Sequence, residues 1–425
     1  MTFTLALLPL LMLVMGFPIF VVLLSSSTVA LALFMNVPLT AVHQNLFGSL
    51  NTNGLLAVPY FIFAGELMSR GTVSVRLVDF VRSIVGGLPG SLGVTTVGTA
   101  TVFGAISGSS AAAVASVGKV MHPAMTKDQY PPSFSAGMVT SVSAIGIIIP
   151  PSIPMIVYGA SSETSIPRLY AAGVLPGLLL ALVLAVFIMA RAYFGGFGTA
   201  IRPTLSGFFH ATTRAVWALG APVIVLGGIY GGVFSPTEAA AVACVYSIIV
   251  TLFVFRELGW RDILDCAKST VLFTAQLMVV VAAAGLFSWL LTVNQVPQTI
   301  VEWISSMNVT PWQFLIAVNI LLLVWGCFMD PMSAILLLTP VLIPVVDVLG
   351  IDKVHFGIIM TLNLAVGLFT PPFGINIFVA QSVLGMKTGD IYRGVTPFFM
   401  VFIAVLLLIT FVPAVALSSM SLFMF

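Results

Sequence analysis

Long apolar stretches separated by short charged segments dominate the pattern along this chain. Charge-free runs cover 1–65, 83–118, 129–162, 169–190, 215–237, 239–255, 269–301, 303–329, 331–346, 354–386 and 394–425. A helix needs about 20 apolar residues to cross a bilayer core, so most runs hold one crossing and the first has room for three. Because the runs are continuous and do not alternate, they predict helices and not the strands of a barrel.

Composition agrees with this pattern and excludes several classes of protein. Hydrophobic residues make up 60% of the 425 and charged residues 7%, whereas a soluble domain carries about 25% charged residues. The chain is therefore expected to be a polytopic protein of the lipid bilayer. A net charge of +2 does not indicate nucleic-acid binding. Three single cysteines and four scattered histidines suggest neither a disulfide framework nor a metal site.

Sequence motifs of enzymes and of ATPases are not found in this chain. The sequence has no nucleophile elbow, no histidine in a matching context and no Walker-type phosphate loop, so neither an enzyme nor an ATPase is expected. The N-terminus begins its first span directly, without the pattern of a signal peptide.

Lys and Arg clusters give the orientation, because cytoplasmic loops carry an excess of them. Five such clusters, beginning at Arg70, Lys119, Arg191, Arg256 and Lys387, are assigned to the cytoplasm, while 36–45 and 292–311 have no Lys or Arg and are assigned to the outside. Alternation then gives ten crossings and two re-entrant hairpins, with both termini outside. The predicted crossings include 46–69, 355–384 and 394–418.

A displaced internal copy is the main architectural signal. The stretch 146–162 lies over 367–383 at an offset of 221, and 103–112 lies over 325–334 at an offset of 222. The loop 70–82 has three arginines, whereas its counterpart 292–302 has no Lys or Arg, so equivalent loops lie on opposite faces. This is an inverted-topology repeat, an architecture of secondary transporters with the substrate near the midplane.

The repeat divides the all-helical chain into four parts. Residues 1–59 are N-terminal scaffold helices, and 60–190 are a first transport repeat with a re-entrant hairpin over 83–118. Residues 191–268 are a central scaffold helix pair, and 269–425 are a second transport repeat with a hairpin over 312–349.

Two mid-span breaks are the first candidates for chemistry. Pro150 with Pro151, and Pro371 with Pro372 in the copy, remove amide donors inside a membrane segment. The released carbonyls could coordinate a cation, and the next half-helix N-terminus could face an anion. The alternative is a plain proline kink.

The hairpin tips supply the other candidates. Ser107, Gly108, Ser109 and Ser110 offer hydroxyl and carbonyl oxygens, the ligands that hard cations prefer, although close packing through small residues would also explain them. Asp330 is placed at the copy of Gly108, where an unpaired carboxylate at membrane depth costs about 2.5–3.5 kcal/mol. A bound Na⁺ would offset its charge, with carbonyls of Gly367 to Thr370 as further ligands; a helix cap is the alternative.

Several long stretches resemble one family throughout the chain. They are PYFIFAGELMSRG (59–71), GAISGSSAAAVASVGKVMHPAM, SAIGIIIPPSIPMIVYG, WGCFMDPMSAILLLTPVLIPVV and LGIDKVHFGIIMTLNLAVGLFTPPFGINIFVA. These are similar to the large membrane (M) subunit of tripartite ATP-independent periplasmic (TRAP) transporters. The segment SAIGIIIPPSIPMIVYG, which contains Pro150, resembles most the family members that transport sialic acid.

The resemblance implies a Na⁺-driven importer of an organic acid in a bacterial inner membrane, working by elevator motion. It implies two partners, a small membrane subunit (Q) and a periplasmic substrate-binding protein (P), no cofactor, and at least two coupling Na⁺ ions. The sodium regions it implies are Ser107–Ser110 with Ile149 and Pro150, and Asp330 to Met332 with Gly367 and Thr370. Polar candidates for the substrate are Ser152, Asn363, Thr370 and Asn376. An ion channel or passive pore is the alternative.

Overall fold

A computed structural model describes residues 2–35, 37–200 and 203–423, and within those ranges the regular structure is helical. The first half contains α1 (Thr2–Val14), α2 (Ile19–Phe34), α3 (Leu39–Gly48), α4 (Ala57–Arg70), α5 (Val73–Val85), α6 (Ser91–Ser107), α7 (Ser110–Lys127), α8 (Pro132–Val142), α9 (Ile153–Ser162) and α10 (Ile166–Gly195). The second half contains α11 (Leu205–Tyr230), α12 (Pro236–Ile248), α13 (Trp260–Val293), α14 (Val296–Ser306), α15 (Pro311–Gly326), α16 (Pro331–Val348), α17 (Lys353–Gly367), α18 (Ile375–Leu384), α19 (Thr388–Phe411) and α20 (Pro413–Leu422).

Six helices of the described ranges are long and apolar enough to cross a bilayer. Five of them, α10, α11, α12 with its continuation to Val254, α13 and α19, are predicted crossings, and the sixth, α16, is an arm of the second hairpin. The expectation of a polytopic helical membrane protein is therefore confirmed. The shorter apolar helices occur mainly in the hairpins and in the interrupted segments.

Two copies of one helix order recur in the chain. The hairpin α6–α7, the interrupted pair α8–α9 and the long helix α10 correspond to the hairpin α15–α16, the interrupted pair α17–α18 and α19. The copies pack reciprocally: α7 contacts α18, and α16 contacts α9. Such exchanged contacts are those of two units related by a two-fold axis, in agreement with the predicted inverted repeat.

The centre of the molecule is formed by the first arms of the interrupted helices and by α6. Nearly every residue of α6, α8 and α17 is buried, including polar ones. Outside this centre, α1 and α2 form one helix pair and α11 and α12 another. The first pair packs through α2 against α13, and the second through α12 against α4, again in matching positions of the two halves.

Several predicted boundaries are wrong. The first hairpin spans 91–127 and not 83–118, because α5 occupies the arginine-containing stretch predicted as a loop. Charged residues alternate there with Val73, Leu77 and Val81, which share the buried face of an amphipathic helix. In the same way α14 lies inside 292–311.

Two predicted crossings are not continuous helices. The segment 46–69 is divided by a turn after Gly48 and a short 3₁₀ segment at Asn53–Leu56. The segment 394–418 is divided at Pro413, which begins α20 because proline cannot donate to the preceding turn. The second hairpin, by contrast, spans 311–348, close to the predicted 312–349.

Candidate functional site

The two hairpin tips meet at one cavity of about 370 Å³. Both tips and both interrupted helices contribute to its wall. From the first half these are Ser107, Gly108, Ser109, Ser110, Ala111, Ala112, Ile147, Ile153 and Pro154, and from the second Asp330, Pro331, Met332, Leu368 and Ile375. The structure therefore brings together tip residues that lie more than 200 positions apart in the chain.

The first tip is a two-residue turn between buried helices. Helix α6 ends at Ser107, Gly108 follows with φ +58°, and Ser109 caps α7 by accepting from the Ala112 N–H at 3.4 Å. Left-handed backbone at Gly108 favours glycine because a side chain there would be strained. A Cβ at Gly108 would also lie 2.9 Å from the Pro151 carbonyl oxygen, so the tip rests directly on the first break.

Paired glycines bring each hairpin against its own interrupted helix. A Cβ on Gly146 would lie 3.2 Å from Gly104 Cα, and a Cβ on Gly326 would lie 3.2 Å from Gly367 Cα. The two pairs occupy equivalent places, since Gly104 matches Gly326 and Gly146 matches Gly367 at offsets of 222 and 221. Backbone therefore packs on backbone next to each break, which fixes where its free carbonyls lie.

Asp330 is the N-cap of α16, with Oδ2 accepting from the Ser333 N–H at 3.0 Å. The equivalent cap in the first repeat is Ser109, at an offset of 221. The predicted equivalence of Asp330 with Gly108 is therefore wrong by one residue. The offset of 222 does not hold as far as the cap, because the packing glycine and the cap are five residues apart in the first hairpin (Gly104 and Ser109) and four apart in the second (Gly326 and Asp330).

Asp330 is half-buried and lines two cavities, the one between the tips and an apolar one of about 700 Å³ beside the α1–α2 turn. Within the described ranges its carboxylate makes no ion pair. The structure thus shows a helix cap whose charge is not offset by a protein cation.

The second break runs from Leu368 to Gly374. The Leu368 carbonyl accepts from the Asn376 N–H at 2.9 Å, and the Thr370 hydroxyl donates to the Val366 carbonyl at 2.6 Å. Both breaks contain a cis Pro–Pro bond. Leu368 lines the cavity, whereas Gly367 and Thr370 are not among its lining residues.

Asn376 joins the two repeats beneath the cavity. Its side-chain amide donates to Ser110 Oγ at 2.6 Å and to the Thr140 carbonyl at 3.0 Å. The side chain is fully buried, and its Oδ1 has no hydrogen-bond partner within the described ranges. A buried acceptor without a partner is costly, and Asn376 itself is not among the residues that line the cavity.

Four other predicted site residues lie away from the cavity wall. Ser152 is buried in the first break, where its hydroxyl donates to the Ile147 carbonyl at 2.5 Å and caps α9. Ile149 and Pro150 are buried in the same break, and the Ile149 side chain packs on Gly177. Asn363 donates to Asn319 Oδ1 at 2.6 Å in a buried network between α15 and α17.

The cavity reaches the end of the molecule that carries the basic clusters. Its remaining wall comes from Ile62, Gly65 and Glu66 of α4 and from Ser269 and Phe273 of α13. Glu66 lies one turn before Arg70, and Ser269 follows Lys268. The second break is exposed at Pro371–Phe373, whereas the first is buried at Pro150–Pro151. The cavity wall therefore reaches residues that lie next to two of the basic clusters predicted to be cytoplasmic.

The α4 and α13 wall was not identified as part of the site from the sequence. The four-residue spacing of Glu66 and Arg70 favours a structural ion pair on one helix face, and that pair is present at 3.1 Å. Glu66 also lines the cavity, together with Ser269, which no motif marked. Among the lining residues the charged ones are Glu66 and Asp330, both negative.

Comparisons with known proteins agree with this geometry. The profile of the family described as "Tripartite ATP-independent periplasmic transporter, DctM component" matches residues 6–415. The chain is 42% identical over 397 residues to the C4-dicarboxylate TRAP transporter large permease protein DctM of Pseudomonas aeruginosa, covering 92% of each. It is 40% identical to the ectoine TRAP transporter large permease protein TeaC of Halomonas elongata, covering 96% of each.

A longer relative and two solved structures complete the comparison. The isethionate TRAP transporter permease protein DctMQ of Oleidesulfovibrio alaskensis is 41% identical over 95% of this chain, which spans 64% of that protein. The Alcanivorax borkumensis YdaH transporter shares the fold with a TM-score of 0.64 at 15% identity, covering 96% of this chain and 98% of that one. Neisseria gonorrhoeae MtrF gives a TM-score of 0.62 at 10% identity, covering 95% and 94%. The sequence relatives are named as permeases, so the expectation of a transporter and not an enzyme is confirmed.

Proposed function

Because this chain belongs to the DctM component family of tripartite ATP-independent periplasmic transporters, we propose that it is the large membrane subunit of a Na⁺-driven, binding-protein-dependent importer of an organic acid. The observation that carries the proposal is the cavity between the two hairpin tips, whose charged lining residues are both carboxylates.

Sodium coupling is supported by the charge balance of this cavity. Glu66 is paired with Arg70, but Asp330 has no ion pair within the described ranges. An anion entering beside a lone carboxylate is repelled unless a cation accompanies it. A Na⁺ ion held by Asp330 and nearby oxygens would remove that repulsion, so ion and substrate would bind better together than separately.

Two Na⁺ sites follow from the repeat. One would use Asp330 with the carbonyls released at Gly367 and the following residues. The other would use the oxygens of Ser107–Ser110 with the Pro151 carbonyl that faces Gly108. Oxygen ligands of this kind suit a hard cation.

The substrate is proposed to be a small organic acid. Relatives at 40–42% identity are named for C4-dicarboxylate, isethionate and ectoine, which makes a C4-dicarboxylate the first compound to test. Sialic acid, which the sequence around Pro150 suggests as the substrate, stays a prediction. Ser110 offers a hydroxyl in the cavity wall, and the buried Asn376 amide holds that hydroxyl in place from behind.

Alternating access is proposed to occur by an elevator motion. The hairpins and interrupted helices are joined by reciprocal contacts of the two repeats, which favours their movement as one unit. The pairs α1–α2 and α11–α12 would remain as the static scaffold. We propose that this conformation, in which the cavity wall includes Glu66 and Ser269 next to basic clusters, is the inward-facing state.

Two partners are proposed for this chain. About a third of the length of the DctMQ relative is not matched by this chain. That extra length is enough for a small membrane subunit, which we propose is a separate chain here. A periplasmic binding protein would deliver the substrate on the outer face of an inner membrane. The exposed apolar faces of α1–α2 and of α12 are the proposed contact for the small subunit.

Reconstitution tests the proposal. Proteoliposomes containing this chain and its small subunit should accumulate a labelled C4-dicarboxylate only with an inward Na⁺ gradient and the loaded binding protein, and isethionate, ectoine and sialic acid complete the panel. Accumulation without Na⁺ or without the binding protein would contradict the coupled mechanism. Equilibration without accumulation would instead identify a passive pore.

A further inference from the structure

A second cavity, of about 300 Å³, lies away from the hairpin tips between α5 and the beginning of α11. Arg82 and Asp79 line it from α5, and His210 and Arg214 line it from α11. Each pair is three or four residues apart and therefore shares one face of its helix. The two faces meet across the cavity, so its charged groups converge on one space.

The charge of this space is positive. Two arginines oppose one aspartate, and neither guanidinium makes an ion pair within the described ranges. Arg82 is half-buried, so its charge is only partly solvated. A guanidinium presents a planar fork of donors that fits two phosphate oxygens. Convergent, unpaired arginines are therefore suited to a phosphate group.

The N-terminus of α11 lies beside this cavity. Thr204 caps the helix, and its hydroxyl accepts from the Gly207 N–H at 3.2 Å. The full positive charges of the cavity come from the two arginine side chains.

The surroundings of the cavity are apolar and face outward. Leu205, Phe209, Val216 and Trp217 are exposed on α11 around it, and Val223 continues the exposed face deeper along the helix. Helix α11 is long and apolar enough to cross a bilayer. The cavity thus lies where a basic surface, on the side predicted to be cytoplasmic, meets the hydrocarbon of the membrane.

We propose that this cavity binds the phosphodiester of an anionic phospholipid from the cytoplasmic leaflet. Arg82 and Arg214 would hold the phosphate from two different helices, while the acyl chains would lie along Val216 and Val223. Such a lipid would tie the amphipathic helix α5 to α11. The charge and the apolar surroundings together select a lipid over a soluble phosphate, because a soluble ion gains nothing from the exposed face of α11.

Native mass spectrometry of the intact chain tests this assignment. The protein is titrated in detergent with phosphatidylglycerol and, separately, with phosphatidylcholine. We expect preferential retention of phosphatidylglycerol, about fivefold weaker in Arg214→Gln and about 25-fold weaker in the double variant R82Q/R214Q, since each arginine near anionic lipid contributes about a factor of five. The single variant changes an exposed side chain and keeps the test valid if the double variant does not fold.

A matched control removes two cations elsewhere on the same side. Lys387 and Arg393 are exposed, and K387Q/R393Q should retain phosphatidylglycerol as the wild type does. Equal losses in both double variants, or no preference for phosphatidylglycerol in the wild type, would overturn the site. Displacement of the lipid by millimolar inorganic phosphate would overturn the lipid assignment and leave a soluble phosphate as the ligand.

Discussion

Asn376 of the second repeat donates a 2.6 Å hydrogen bond to Ser110 Oγ at the first hairpin tip. The same amide also reaches the Thr140 carbonyl of α8 at 3.0 Å. One buried side chain therefore links α18, α7 and α8 beneath the cavity. Movement of the first hairpin tip relative to the second break would change this contact. Asn376 therefore connects the two repeats directly at the site.

Replacing Asn376 tests that connection. Asn376→Ala removes both hydrogen bonds and should lower the free energy of unfolding by about 1–3 kcal/mol. Uptake in proteoliposomes should fall at least tenfold, because the first tip loses its support from α18. Asn45→Ala is the matched control, since Asn45 bonds only within its own helix at 2.8 Å from the Ala41 carbonyl. Normal uptake by a destabilised Asn376→Ala protein would limit the residue to a structural role.

Asp330 is tested by removing its charge while keeping its cap. Asn caps a helix about as well as Asp, so Asp330→Asn should fold normally. If Asp330 binds Na⁺, the Na⁺ concentration for half-maximal uptake should rise about tenfold or more, or coupled uptake should be lost.

The control for Asp330 lies on the same helix. Asp347, near the other end of α16, forms an ion pair with Lys353 at 3.0 Å. Asp347→Asn should leave the Na⁺ titration unchanged. A wild-type Na⁺ titration in Asp330→Asn, with normal transport, would eliminate the ligand role of this carboxylate.

The glycine contact beside the second break should tolerate no side chain. A Cβ on Gly367 would lie 2.5 Å from the Gly326 carbonyl oxygen, and overpacking of this kind costs about 1–3 kcal/mol. Gly367→Ala should therefore lower the unfolding temperature and reduce uptake severely, as followed by tryptophan fluorescence and transport.

A glycine in open space supplies the comparison. Nothing lies within 4 Å of a Cβ placed on Gly227 of α11, where alanine is the better helix former by about 0.5–1 kcal/mol. Gly227→Ala should be neutral or stabilising. Equal stability of the two variants would show that the backbone contact at Gly367 is not tight.

Glu257 fixes α5 to the segment before α13. It accepts from the Thr72 N–H at 2.7 Å and from the Thr72 hydroxyl, and it pairs with Arg76 at 2.8 Å. Burial opposes ionisation of Glu257, but the hydrogen bonds from Thr72 and Arg76 outweigh it and hold the pKa of this carboxyl below its usual value. The stabilisation is therefore present above the unfolded pKa of about 4.3 and is lost as the pH falls through the lower folded pKa.

Glu257→Gln should lower the free energy of unfolding by about 1–2 kcal/mol at pH 7, and the loss of stability on acidification below about pH 4.3 should be smaller than in the wild type. Thermal unfolding between pH 3 and 7 measures both. Asp265→Asn removes an exposed pair with Lys268 and should change stability by about 0.5 kcal/mol or less. A Glu257→Gln change no larger than that would exclude a stabilising role for the contact.

The orientation of the two repeats is tested by labelling. In a variant whose three cysteines are replaced by alanine, Leu88→Cys precedes the first hairpin and Met307→Cys precedes the second, and both positions are exposed. A membrane-impermeant maleimide should label Leu88→Cys only from the cytoplasmic side and Met307→Cys only from the outside. Labelling of both from one side would contradict the inverted topology.

The sequence by itself was sufficient for the class of protein and the internal repeat, and it marked the residues that are proposed here as ligands. Continuous apolar runs require helices in a bilayer, because backbone groups there must bond within their own segment. The repeat was visible because both copies keep paired prolines at the break and a glycine at the matching point of the hairpin, Gly104 and Gly326. Asp330 was recognisable because an isolated carboxylate inside a long apolar stretch is costly.

Only the tertiary structure decided which of these residues share a cavity. Ser107–Ser110 and Asp330 meet because the two repeats exchange contacts, α7 with α18 and α16 with α9, and such pairing over more than 200 residues leaves no local signal. Asn363 and Asn376 look alike in sequence, yet one belongs to a buried network with Asn319 and the other reaches the first tip. The contribution of α4 and α13 to the wall depends on how these helices pack beside the hairpins, which no local sequence pattern reveals.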